Sequence, residues 1–360
     1  MRRGVYALAG LLALPAALAA GTAAPLARQE LTDEVRQCVR RGLEYLASTQ
    51  NRDGSWSSSG GMSRNVGISA LACMAFMANG SQPGRGPFGE NVDRGLNFVL
   101  DHVGRDGYIA AGSNSRMYEH GFATLFLAQA YGMTPRRDIA EKLRMATALI
   151  IRSQKRVDGG WRYDPSQVGA SDISVTVCQV LALRAARNCG IKVPAEECVN
   201  RAIDYVKRSC LPDGSFCYML RHRSRGSYAL LSAGLSSLYG AGEYDCPELK
   251  RALRRFKEET PRNIARRGRI SHYYFYAHYY ASQAAYHAGG AYWDIYYPAI
   301  SKELVENQNA GTGSWQSNFG DAYATAMACL VLQLPYQYLP IFQRLGADEV
   351  TAKGAEDAAP

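Results

Sequence analysis

No two aspartates lie within four residues of one another anywhere in this 360-residue chain. That absence excludes an aspartate-rich motif for a divalent metal. The sequence contains no Cys-x-x-Cys, so neither a structural zinc site nor a thioredoxin-like redox pair is expected. It has no His-Glu-x-x-His and no Gly-x-Ser-x-Gly, which excludes the zinc-protease helix and the hydrolase nucleophile elbow. No stretch alternates apolar and polar residues for long enough to form a sheet. Beyond the N-terminus no segment has the unbroken apolar length needed to cross a bilayer. The net charge of +9, from 41 basic and 32 acidic residues, is spread along the chain. No RNA- or DNA-binding signature accompanies it, so no nucleic-acid partner is expected. Gly84-Arg85-Gly86-Pro87-Phe88-Gly89 matches Gly-x-Gly-x-x-Gly in form, but no strand precedes it, and it reads as a loop.

The chain does carry an export signal. Met1-Arg2-Arg3 is a positive start, Val5 to Leu18 is a short apolar stretch, and Ala17-Leu18-Ala19 has the small-x-small pattern of a cleavage site. Residues 1–24 therefore read as a signal peptide, 25–345 as one domain, and the small, acidic stretch 346–360 as a disordered tail. A periplasmic or extracellular location follows. Nine cysteines, an odd number, accompany that expectation. Cys73 and Cys329 lie in apolar stretches and read as core thiols, whereas Cys210 and Cys217 flank a Pro-Asp-Gly turn and are placed to bridge; spacing alone leaves the connectivity open.

The main positive signal is a repeat. Asp53-Gly54-Ser55-Trp56 recurs as Asp106-Gly107-Tyr108, Asp158-Gly159-Gly160-Trp161, Asp213-Gly214-Ser215-Phe216 and Gly313-Ser314-Trp315. A degenerate copy at Arg267-Gly268-Arg269-Ile270 completes six units of about 50 residues. Each unit opens with an amphipathic helix, such as the face formed by Val35, Val39, Leu43 and Leu46. After the turn comes a stretch apolar nearly all round: Val66 to Met77, Gly121 to Ala130, Val175 to Ala186, Tyr228 to Leu238, Tyr273 to Tyr286 and Tyr323 to Leu334. Most of these end at a glycine placed to cap the helix: Gly80, Gly132, Gly190, Gly240 and Gly289. Six buried helices alternating with six one-sided ones predict an inner ring within an outer ring, an all-α (α/α)6 toroid; an open superhelix is the alternative.

The full repeat, Arg41-Gly42-Leu43-Glu44-Tyr45-Leu46, then Gln50 and Asp53-Gly54-Ser55-Trp56, resembles the Gln-Trp motif of squalene–hopene cyclases and the related terpenoid cyclase and protein prenyltransferase toroids. Gln154 with Trp161 and Gln308 with Trp315 repeat it, and the likeness covers roughly residues 33–335. It implies the toroid and an isoprenoid or other apolar ligand in the ring, with cyclase-like isomerase or lyase chemistry. The chain departs from that chemistry at every decisive position. Asp172 stands at the last Asp of the cyclase Asp-x-Asp-Asp motif, but Ser171 stands where the proton-donating Asp is expected. Arg225, Ser227 and Ala324 stand where prenyltransferases place their zinc ligands. No metal and no cofactor is expected.

Polar residues cluster at the N-terminal ends of the inner helices: Asn65, Glu119, His120, Asp172, Ser227, His272 and Asp321. Asp172 with Glu119, His120 or Asp321 could work as acid and base; equally, Asp172 and Asp321 suit helix caps, and His120 and His272 suit structural posts. Tyr273, Tyr276 and Tyr280 share a helical face and, with His272, could line a ligand cavity or simply pack. The basic run from Lys250 to Arg269 suits a solvated face, an acidic protein partner or an anionic membrane surface. Three functions are thus in view: an apolar-ligand protein with Asp172 as acid, a non-catalytic interaction or scaffold module, and a glycan-acting enzyme using Asp172, Glu119 and Asp321 as carboxylates.

Overall fold

The computed structural model describes residues 30–57, 64–111, 116–134, 136–265 and 273–343. The segment expected to be a signal peptide, the stretch 346–360, the degenerate fifth turn, Arg266 and His272 lie outside the described residues. Twelve α-helices fill the rest. The outer ones are α1 (Asp33–Ser48), α3 (Gly89–Asp101), α5 (Arg137–Arg152), α7 (Asn200–Ser209), α9 (Pro247–Ile264) and α11 (Gly290–Glu306). The inner ones are α2 (Val66–Ala78), α4 (Arg116–Tyr131), α6 (Ile173–Asn188), α8 (Tyr228–Gly240), α10 (Tyr274–Ala288) and α12 (Asp321–Gln333). Every residue of α2 is buried, whereas α1 buries one stripe: Val35, Cys38, Val39, Gly42, Leu43 and Leu46. Each inner helix packs on the next, and α12 packs on both α2 and α1. The ring is closed, as the repeat predicts.

The repeat motif makes the joints between units. Gln50 Nε2 donates to its own turn at Gly54 O (3.0 Å) and to Asn91 O at the start of the next outer helix (2.9 Å). Gln154 does the same with Gly159 and Cys198. Gln308 does it across the ring's seam, bonding Gly313 O and Cys38 O, both at 2.8 Å. The tryptophans anchor the turns: the indole N–H groups of Trp56, Trp161 and Trp315 donate to Leu46 O, Ile150 O and Leu304 O. Their backbone amides bond hydroxyls in the first turns of the inner helices, at Ser69, Thr176 and Thr325. The turn glycine is obligatory where it meets its neighbour. At Gly54 φ is +89°, and an added Cβ would lie 2.2 Å from Arg94 O. At Gly313 φ is +75°, and the Cβ would lie 2.7 Å from Arg41 O.

The capping glycines divide. Gly80, Gly190 and Gly289 take positive φ beyond their helices, but Gly132 and Gly240 do not; after α8 that role passes to Gly242. Past α12, Leu339, Ile341 and Phe342 are buried beneath the ring. Gln129 Oε1 accepts the Ile341 amide and Arg184 donates to Gln343 O, so the chain end crosses from α12 to α4 and α6. It stoppers the face formed by the C-terminal ends of the inner helices.

All nine cysteines are free thiols. The bridge considered between Cys210 and Cys217 is not formed. Cys210 pairs with Phe216 across the turn, and successive residues of an extended segment point to opposite faces, so Cys217 is aimed away. Burial pushes the Cys38, Cys178 and Cys198 thiols up to about 12. A thiol reagent added to native protein is expected to react quickly with one thiol at most, Cys189, which alone is not fully buried. Several fast-reacting thiols before denaturant is added would contradict this packing.

Candidate functional site

The face opposite the stopper carries the outer-to-inner loops and the N-terminal ends of the inner helices. In unit three the loop folds back on itself. Asp172 N–H donates to Trp161 O (3.0 Å), and Asp158 accepts the Ser171 amide at 2.9 Å and its hydroxyl. Lys155 Nζ holds the carbonyls of Ser166 and Val168. With Trp161 anchored inward, Arg162 and Tyr163 emerge at the rim. Unit four delivers Tyr218 to the same place, because Tyr218 O accepts the Ile173 amide at 3.1 Å.

Asp172 is the centre of this group. It caps α6: Oδ1 accepts the Val175 amide at 2.9 Å and the Ser174 hydroxyl at 2.7 Å. Tyr118 OH donates to Ser174 Oγ (2.6 Å) and Tyr276 OH to Ser174 O (2.7 Å). Oδ2 is different. It is buried and has no hydrogen bond of normal geometry, and Arg162 Nε, also buried and unbonded, stands 3.9 Å away. The Tyr218 hydroxyl lies close enough to favour the carboxylate. Burial nonetheless dominates and raises the Asp172 pKa, against the pull of Ser174, the Val175 amide and Arg162. The Arg162 guanidinium lies over the Tyr163 ring, 5.4 Å from its centroid, and the Tyr163 and Tyr218 hydroxyls are hydrogen-bonded to each other. The result is a buried carboxyl held in a rim of tyrosines beside one arginine.

The other sequence candidates have separate duties. His120 is wholly buried; Nδ1 accepts the Ile109 amide (3.2 Å), which leaves Nε2–H to donate to Ala146 O (3.2 Å). It holds in unit two the post that Ser69, Thr176 and Thr325 hold elsewhere. Burial drops its pKa to about 4, so it stays neutral and is structural. Glu119 is buried, and its Oε2 accepts the Ala111 amide at 2.9 Å. Asp321 is not the cap of α12; Gly320 takes that place, and Asp321 sits half-buried in the first turn with its pKa raised by burial. Tyr273 lies just before α10 and is 53% exposed, so it does not share the inward face of Tyr276 and Tyr280.

Tyr276 and Tyr280 pack edge to face at 4.8 Å, and the Tyr280 hydroxyl meets Cys178 Sγ at 3.2 Å. Tyr279 reaches across the ring to Phe122, with centroids 6.0 Å apart. Side chains from α10 therefore occupy the ring's middle, where an apolar ligand was expected. A cavity of about 20 Å³ lies near the C-terminal ends of α6 and α8, lined by Val180, Leu183, Arg184 and Gly240, with room for roughly one water. Among the described residues no group of three or more His, Cys, Asp or Glu could hold a metal ion. On α9, Lys250, Arg251 and Arg255 pair with Asp245, Glu248 and Glu259.

Arg162, Tyr163, Ser174 and Tyr218 were not singled out from the sequence. The signal was there: Ser57 and Gln316 follow the first and last turn tryptophans, whereas Arg162-Tyr163 follows Trp161, and Tyr218 stands two residues after Phe216.

No protein-family model and no curated protein matches the sequence. Solved structures do. A family-76 α-1,6-mannanase from Salegentibacter sp. HEL1_6 superposes with a TM-score of 0.63 at 10% identity, over 84% of this chain and 99% of its own. An unsaturated glucuronyl hydrolase specific for heparin gives 0.61 at 11% identity, over 85% and 97%. A family-76 mannosidase from Bacteroides thetaiotaomicron gives 0.59 at 10%, over 84% and 98%. At these identities the likeness establishes architecture: the chain is an (α/α)6 toroid, a shape it shares with these glycan-acting proteins.

Proposed function

We propose that the protein acts on a carbohydrate at the face around Asp172, with Asp172 as proton donor. The observation that carries this reading is the Asp172 carboxyl itself, buried, with its pKa raised and Oδ2 unbonded. A buried carboxyl whose pKa is raised is suited to protonating a glycosidic oxygen. The proton passes from Oδ2 to the leaving oxygen, the C–O bond breaks, water adds at the sugar carbon, and the proton lost by that water restores Asp172. Tyrosine rings and hydroxyls suit the apolar faces and edges of sugars. The glycan-acting neighbours support the reading as analogy of shape. One of them, an inactive mannanase variant with two adjacent aspartates replaced, holds α-1,6-mannotetrose. This chain has no adjacent aspartates, so the proposal rests on one assigned carboxyl.

The same lack, together with the tyrosine-filled ring, favours a second reading, a module that binds saccharide without cleaving it. Reducing-end release from a panel of neutral and acidic oligosaccharides separates the two. Turnover is expected from the native protein. Asp172→Asn, which keeps the Oδ1 acceptor for Val175, is expected to lower it by about 100-fold. Asp172→Ala also loses the cap and about 1 kcal/mol of stability. Undiminished turnover in Asp172→Asn would overturn the assignment, and tight binding with no release would favour the second reading.

A further inference from the structure

Resting on the carbohydrate reading, we infer that the saccharide is anionic, carrying a carboxylate or sulfate that pairs with Arg162. The case starts from the pair of unbonded atoms. Arg162 Nε and Asp172 Oδ2 are both buried without hydrogen bonds, 3.9 Å apart, too far for a direct bond. Asp172 is the one carboxylate among the described residues that pairs with Arg162, and at 3.9 Å it leaves the guanidinium able to take a second, closer anion. A neutral sugar would cover the guanidinium and leave it only this long contact. An anionic group supplies both the acceptor and the charge, and the guanidinium presents a fork suited to carboxylate and sulfate. Arg162 is reachable, since a third of its side chain is exposed. Its plane is fixed by the Tyr163 ring beneath it.

The adjoining rim has the same sign. From Gly214 to Gly242 the chain contains no Asp or Glu, yet Arg221, His222, Arg223 and Arg225 fall within it. Arg225 pairs with Glu259, while Arg223 donates to a backbone carbonyl, Arg208 O, at 2.7 Å. Arg221 and Arg223 are exposed. A chain bearing repeated negative charges would run from Arg162 onto this segment.

Isothermal titration calorimetry at about 0.15 M salt tests this with three probes: an oligogalacturonate hexamer, a heparin hexasaccharide and neutral α-1,6-mannohexaose. At least one anionic probe is expected to bind about tenfold tighter than mannohexaose, and which one identifies the anion. Arg162→Gln is expected to remove that advantage, lowering affinity for the anionic probe about tenfold more than affinity for mannohexaose. Arg254→Gln, on the exposed face of α9, is expected to change neither. Equal binding of neutral and anionic probes, unmoved by Arg162→Gln, would overturn the inference and leave the carbohydrate reading standing. Equal losses in Arg162→Gln and Arg254→Gln would reduce it to general attraction by a basic protein and overturn it. Binding of none of the three would overturn both.

Discussion

Trp315→Ala is expected to cost about 3–5 kcal/mol, the range for emptying a large aromatic site in a core. The indole is buried, donates to Leu304 O at 2.9 Å and fills the corner where unit six meets unit one. Gly42 on α1 makes that corner tight: a Cβ there would come within 3.0 Å of the Trp315 ring. Gly313→Val attacks the same joint through the backbone. It forces a β-branched residue to φ +75° and sets its Cβ against Arg41 O. Both changes act on the joint that closes the ring between unit six and unit one. In a closed ring its loss releases the first and last units together, so limited proteolysis should cut at both ends of the chain. Urea unfolding measures the cost. A loss under about 1 kcal/mol for Trp315→Ala would mean that the seam contributes little and that the ring behaves as an open stack.

Acid is expected to destabilise the fold by a comparable amount. His120 and His278 are buried, and burial drops both pKa values to about 4. The neutral rings are held in place, His120 between two backbone groups and His278 Nδ1 by the Tyr296 hydroxyl at 3.0 Å. In the unfolded chain each titrates near 6.5. Between those values the unfolded state binds more protons, so stability rises with pH. The contribution is complete above about pH 6.5 and is lost as pH falls toward about 4, about 3 kcal/mol for each ring. Asp172 works in the opposite sense. Its raised pKa favours the folded state as pH falls through its titration, which offsets part of the loss. Urea midpoints from pH 7 to pH 4.5 should fall steeply, and His120→Gln should flatten the slope. Equal midpoints at both ends of that range would remove the structural role given to these histidines.

The architecture was legible because its causes are local and repeated. Gln50, Gln154 and Gln308 recur six or seven residues before Trp56, Trp161 and Trp315, and each makes the same two bonds. Apolar runs such as Val66 to Met77 mark the inner helices because nothing charged interrupts them. Asp172 was legible too, since a lone Asp before an apolar run reads as a cap, and it is one. Its surroundings were not. Arg162 and Tyr218 meet it only through a loop folded back on Trp161 and a neighbouring unit's backbone, 46 residues further along for Tyr218. The expectation of an apolar cavity failed for a related reason. Tyr279 and Phe122 come from helices on opposite sides of the ring, and their meeting depends on the ring's diameter, which no pattern within one repeat records. Which of its two readings His120 takes was not legible either, because its post is filled by Ser or Thr in other units.

The stopper segment and the seam also share an address: both are completed by residues beyond 300. Ribosomes deliver residues in order, so Cys38 emerges 270 residues before Gln308, and Phe342 follows later still. At roughly 5–20 residues per second that interval is on the order of 15–60 seconds. Throughout it the nascent polypeptide is an incomplete arc, with the greasy stripe of α1 uncovered. Its need for a holding chaperone should therefore last until Gln308 and Trp315 have emerged, and a chain truncated before them should leave an aggregating species rather than a smaller ring.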